Sequence, residues 1–293
     1  MGVPDRINDY EGRSSLVDGI PFTLPVACRN SPALFAIFSI DAARARALLP
    51  GNEIHPFRLW TRGLLVVSVI DYRDTTIGKY VEFSIAIACT HGRLPAPRLL
   101  PGILMKAFGT GQFVVDLPVS SEISVKGGKG IWGMPKHKAR LDYRVEEKTV
   151  SSQYDVEEGR LGMRVEIDRP ASAWLPLSAA ASNYCAFRGL LMKSNIHFRG
   201  KAGFTLFKKG AARLLIGDHP RMAWLKTLDI RPDPVATAFI PSANGILDDG
   251  FTSWFLTYPE APASRPEGLE SVVDLGLSEE WLPLPTAAGR NKA

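Results

Sequence analysis

The chain has 293 residues, 45% of them hydrophobic and 22% charged, with a formal net charge of +5. That suits one large globular domain or two small ones with a sizeable core. Lysines and arginines are scattered, which argues against a nucleic-acid surface, and no stretch approaches the ~18 apolar residues of a membrane span. Cys28, Cys89 and Cys185 are odd in number and widely spaced, against a disulfide scaffold or a structural zinc site. The five histidines form no H-x-x-x-H pair, so no metal is expected. The polar start has no apolar leader, and a reducing, cytoplasmic setting is expected.

Residues 1–20 read as a polar arm, 21–258 as one domain without internal repeats, and 259–293 as a tail docked through Leu275 and Trp281. Residues 34–40, aromatic and β-branched, predict a buried strand, and Asp41 caps a short helix over 42–49. Strands follow over 64–72 and 80–89. In the second, Val81, Phe83, Ile85 and Ile87 share one face, and Glu82, Ser84, Ala86 and Ala88 the other. A face of small residues around one acid leaves room for a ligand; equally, Glu82 could point to solvent from a half-exposed strand.

A proline-rich loop over 95–101 precedes a short helix within 102–111, a strand over 112–119, and a strand end at 122–125. Strands over 139–146, 151–157 and 161–168 form a meander, with a tight turn at Glu158-Gly159. Residues 171–184 carry no clear pattern. Strands over 190–197, 203–207 and 213–216 are separated by Gly200 and Gly210. Asp218-His219-Pro220 opens a helix to about residue 227 with the aspartate as cap, and 235–240 is a last strand. About ten strands and few helices predict a mainly β fold with flanking helices, an antiparallel sheet closed or nearly closed around a cavity.

The chemistry concentrates in Gly130-Ile131-Trp132-Gly133-Met134-Pro135-Lys136-His137-Lys138. An amine attacks a ketone only in its neutral form, and loss of water or a neighbouring positive charge favours that form. The apolar run can dry Lys136, while Lys129, Lys138 and Arg140 bring charge. An amine so placed can form an imine. The same residues also suit an exposed strand start with a solvated lysine.

The run Lys129 to Lys136 resembles the active-site segment of the acetoacetate decarboxylase family, whose pattern is Arg-Glu-aromatic-Gly-aromatic-Pro-Lys. The resemblance extends over about residues 27–255. Phe35 to Asp41 and Leu49-Pro50 are similar to the family's first strand and helix. Asp74-Thr75, Gly78 and Tyr80-Val81-Glu82 are similar to its second hairpin, and Gly210 to Leu214 with Asp218-His219-Pro220 to a later pattern. The resemblance implies a cone-like antiparallel barrel, a homo-oligomer, no cofactor, and a Schiff base on Lys136; the family's lysine is itself the standing example of an amine activated by a neighbouring cation. It puts an active-site glutamate at Glu82 and an arginine at Arg29.

This sequence departs from the pattern in several places. Ser68 stands where acetoacetate-cleaving members have a second glutamate, and Asp71 faces the other side of that strand. His137 replaces a second lysine, Gly130 a glutamate and Met134 an aromatic. The expected site is therefore Lys136 and Glu82 as catalytic residues, with Arg29, Ser68, Trp132, Met134 and His137 around the substrate. Three functions follow: decarboxylation of a small 3-oxo acid through an imine; aldol condensation or dehydration of a 2-oxo acid such as pyruvate on the same lysine, as in some relatives; or a non-catalytic barrel that binds a hydrophobic ligand.

Overall fold

The structure, a computed structural model, describes residues 12–17, 19–173 and 175–260. Residues 1–11 of the expected arm, and the tail from 261 with Leu275 and Trp281, lie outside the described residues. The part of the arm that is described is one strand of a hairpin, β1 (Arg13–Val17) against β2 (Ile20–Leu24). Then come β3 (Val26–Ile40), the helix Ala42–Leu48 with Asp41 as its cap, β4 (Ile54–Pro56), β5 (Gly63–Tyr72), β6 (Asp74–Thr75) and β7 (Tyr80–His91). After the short helix Leu100–Ile103 come β8 (Gly111–Val119), the helix Glu122–Trp132, and β9 (Lys136–Lys138). The remaining strands are β10 (Arg140–Leu141), β11 (Arg144–Val145), β12 (Thr149–Glu157), β13 (Arg160–Asp168), β14 (Leu175–Phe187), β15 (Leu190–Leu206), β16 (Ala212–Ile216) and β17 (Pro234–Phe255).

Seven strands form a ring in the order β7-β5-β3-β17-β15-β14-β8, closed by β8 pairing back onto β7. Closure removes the sheet edges and encloses a lumen. Every pairing round the ring is antiparallel except β14 with β8, which is parallel. A second sheet, β10-β12-β13-β16 with β11 on β12, covers one outer face. The main core fills the space between them. Phe83, Ile85 and Ile87 of β7 meet Val150, Tyr154 and Val165 of the second sheet, with Met222 and Leu225 alongside. The bulky face of β7 is thus used against a sheet, and the small face is left to the lumen.

Several elements differ from the sequence reading. Residues 122–125 open a helix rather than end a strand. The strand expected over 139–146 is two short pairings, on either side of Asp142. The unplaced stretch 171–184 contributes β14. Gly200 does not separate strands: β15 runs through it, because β17 packs close there. A Cβ on Gly200 would lie 2.9 Å from the Ser242 carbonyl oxygen, so the glycine marks a close approach of backbones. The last strand is 22 residues long, with register shifts that bend it round the ring. The helix expected within 102–111 is the single turn Leu100–Ile103. At 220–226 a 3-10 turn runs into a short helix, and its cap is His219, whose ring accepts from the Arg221 N–H, rather than Asp218.

Candidate active site

The helix Glu122–Trp132 sets up the site. The Ser121 hydroxyl caps it by accepting the Ser124 N–H, and Gly133 ends it at a φ of +62°, with the Met134 N–H bonded back to the Gly128 carbonyl. Such a left-handed stop suits glycine. Three glycines inside the helix, Gly127, Gly128 and Gly130, lower its intrinsic stability, yet the first two each have a neighbour in place of a side chain. A Cβ on Gly127 would lie 2.8 Å from the Phe22 ring, and one on Gly128 would lie 2.3 Å from Lys136 Cδ. The groove at Gly128 is the path the lysine follows. Beyond Pro135, β9 lies parallel to β8, with Lys136 opposite Leu117 and His137 opposite Pro118. Alternation along β9 turns Lys136 into the lumen and His137 away from it.

Lys136 is 4% exposed. Its Nζ lies 2.8 Å from Glu82 Oε2, donates to Ser124 Oγ at 2.9 Å, and sits 5.4 Å from the centre of the Tyr80 ring. Tyr72 stacks on Tyr80 at 4.5 Å. Burial first, then the Glu82 charge, holds both phenols protonated far above their ordinary range. Burial likewise pushes the Cys28 thiol up to about 11. These groups are therefore neutral donors around one buried ammonium–carboxylate pair.

The pair opens on a lysine chamber of about 50 Å³, walled by Tyr72, Tyr80, Glu82, Met134, Asn183 and Lys136 among others. A second chamber of about 80 Å³ adjoins it and is more apolar, with Phe35, Ile70, Val114, Leu117, Phe198 and Ile240 in its wall. The register explains the shared lining. Ser68 faces Ser84, Ile70 faces Glu82, and Tyr72 faces Tyr80 across β5 and β7. Outside lies an open groove of about 570 Å³ that carries Arg29, Arg199 and Asn244. Cys28 borders all three spaces.

Lys136 and Glu82 thus meet directly, Met134 lines both chambers, and Ser68 lines the apolar one. Arg29 is exposed in the outer groove and lines neither chamber. Trp132 and His137 are not in the wall of either chamber. Trp132 is buried with Val26, Ala86 and Val114, and its indole N–H donates to the Asp248 carbonyl at 2.9 Å. His137 Nε2 lies 2.9 Å from Asp116 Oδ1, which also accepts from Arg221 at 2.8 Å. Burial raises the Asp116 carboxyl, but the bonds from His137 and Arg221 outweigh it and leave it below its ordinary range. Asp71 faces away from the lumen and pairs with Arg73 at 2.8 Å.

Four contacts of the site are absent from the sequence reading. Tyr80 shares the parity of Glu82, and Tyr72 that of Ser68, so the period of two carried the signal for both. Asn183 lies in the stretch without a pattern. Ser124 becomes visible only once 122–132 is read as a helix. Among the described residues, no group of three or more His, Cys, Asp or Glu is placed to hold a metal ion, and no helix is long and apolar enough to cross a membrane.

The family model for acetoacetate decarboxylase (ADC) matches residues 8–184. No curated protein matches the chain. Among solved structures, the acetoacetate decarboxylase of Legionella pneumophila subsp. pneumophila str. Philadelphia 1 is similar at 15% identity and a TM-score of 0.55, over 76% of this chain and 84% of that one. An acetoacetate decarboxylase-like enzyme from Sphingomonas wittichii RW1 is similar at 16% identity and 0.52, over 79% and 94%. The enduracididine biosynthesis enzyme MppR, solved with pyruvate, is similar at 15% identity and 0.52, over 78% and 90%. At these identities the likeness is one of fold.

Proposed function

The chain belongs to the acetoacetate decarboxylase family of enzymes, and from that premise we propose that it is a lyase that forms a Schiff base between Lys136 and a small oxo acid. The observation that carries this reading is the buried Lys136 amine 2.8 Å from Glu82, on the wall of a small chamber. Glu82 takes the ammonium proton, and the freed amine adds to the substrate ketone. Loss of water gives a protonated imine, which withdraws electrons from the adjacent carbon. With a 3-oxo acid, the bond to the carboxylate breaks, CO2 leaves, and its electron pair forms an enamine. Protonation at carbon and hydrolysis then release the ketone and the lysine. The buried Tyr72 and Tyr80 hydroxyls and Ser124 stay protonated through this cycle and serve as donors. No cofactor enters the scheme.

A second reading keeps the lysine and changes the outcome, to aldol condensation or dehydration of a 2-oxo acid such as pyruvate. It is favoured by one observation: among the described residues, Glu82 is the only carboxylate lining either chamber. MppR, solved with pyruvate, shares the fold. Incubation with acetoacetate, and separately with pyruvate, followed by borohydride and peptide mapping tests both readings. An adduct on Lys136 is expected, and acetone release distinguishes the first reading from the second. Label elsewhere, or none, would sink both.

A cytoplasmic setting is supported by three free thiols. A homo-oligomer is supported by the exposed apolar side chains of Leu94, Ile103, Leu104 and Met105. Light scattering on wild type and Ile103→Glu tests the latter, and a monomeric wild type would overturn it.

A further inference from the structure

We infer that the preferred substrate carries an apolar substituent of several carbons on its ketone, housed in the chamber behind Glu82; this rests on the imine reading above. The ketone carbon must lie at Lys136 Nζ, within the lysine chamber. Two directions lead away from that point. One is the outer groove, reached past Cys28, where the exposed guanidinium groups of Arg29 and Arg199 stand. The other is the apolar chamber, which shares Cys28, Tyr72, Glu82, Met134, Asn183 and Ile196 with the lysine chamber. A carboxylate belongs with the arginines in water. In the apolar chamber it would be desolvated beside Glu82, with no cation in the wall.

The other substituent therefore enters the apolar chamber. Ala33, Ile240 and Ala243 form a small buried cluster there, with Phe35, Ile70 and Phe198 packed against it. The space persists because the inward positions of this part of the ring are small: Ser68 opposite Ser84, and Ala243 opposite Ser31. A single methyl group would leave most of the roughly 80 Å³ unfilled, whereas a propyl chain would fill it; an apolar cavity that holds benzene is about 150 Å³, so this chamber suits a short chain rather than a ring. Each methylene moved from water into such a space is worth about fourfold in binding.

The test is borohydride trapping on the intact protein, read as the concentration giving half-maximal labelling of Lys136. Acetoacetate is compared with 3-oxohexanoate, and pyruvate with 2-oxopentanoate, each pair differing by two methylenes. The longer acid of at least one pair should half-saturate at about 15-fold lower concentration. Ala181→Leu and Ser68→Val, each adding bulk to the chamber wall, should lower that preference severalfold. Two such variants guard against one that fails to fold. Labelling of Lys136 with equal or weaker response to both longer acids overturns the inference and leaves the imine reading standing. A preference that survives both folded variants overturns the placement in this chamber. No label on Lys136 with any acid overturns the imine reading itself, and the inference with it.

Discussion

The Lys136–Glu82 contact joins two residues 54 positions apart at 2.8 Å, Glu82 from β7 of the ring and Lys136 from β9, which pairs with the ring strand β8; in the proposed imine mechanism this pair transfers the proton. Replacing Glu82 by Gln keeps the shape and removes the proton acceptor. Turnover should fall by about the 10²–10⁴-fold typical of a lost acid–base group, with the circular dichroism spectrum unchanged; a fall under tenfold would mean another group accepts the proton. Gly128 makes a sharper case. Alanine there would meet Lys136 Cδ at 2.3 Å, so the lysine must move. Displacements of about 1 Å cost on the order of 10²-fold, and Gly128→Ala should slow borohydride labelling by that order while thermal stability changes little. Unchanged labelling would show that the lysine has a second path to the chamber.

At the scale of elements, β9 is three residues long and needs anchoring beyond its ladder to β8. Asp116 supplies it, holding His137 of β9 and Arg221 of the 3-10 turn. His137 thus bears on the lysine by fixing the strand, and its ring faces Asp116 rather than the amine. Asp116→Asn weakens a buried charged network and should cost about 3 kcal/mol in a urea titration at neutral pH. Because the folded carboxyl is lowered, its contribution is complete above the unfolded value near ~3.9 and disappears as pH falls through the lower, folded one. The gap between wild type and variant should therefore narrow only in strong acid, and a gap that is constant with pH would contradict the charged pairing. Much at this scale was legible in the sequence. The small face of β7, with Glu82 on it, follows from alternation alone, whereas Ser68 entered the expected site only through the family resemblance. The lysine helix was not legible, because Gly127, Gly128 and Gly130 argue locally against a helix; the reason for the first two lies in Phe22 and Lys136, which only the fold brings there. Nor was the length of β17, since its bulges break the period of two.

At the scale of the whole molecule, the ring joins the chain's distant parts. β3 pairs with β17 across about 200 residues, as at Phe35 opposite Ala238, and β8 pairs with β14 across the parallel seam. A fragment ending at residue 233 would leave β3 and β15 as open edges on either side of the missing strand. It should lose the cooperative thermal transition and all labelling of Lys136, although every residue that touches the amine is present; retained labelling would mean the lysine site forms without the closed ring. The same arrangement governs how the protein comes into being on the ribosome. Contacts so far apart in sequence form slowly, and strands β3, β5 and β7 emerge long before the strand that seals them. During that interval Leu34, Val67 and Ile85, all fully buried in the finished molecule, belong to an unsealed sheet open to wrong partners. The nascent chain is thus exposed to aggregation for most of its synthesis, and its yield in a cell should depend on chaperone capacity and translation speed more than on the stability of the completed ring.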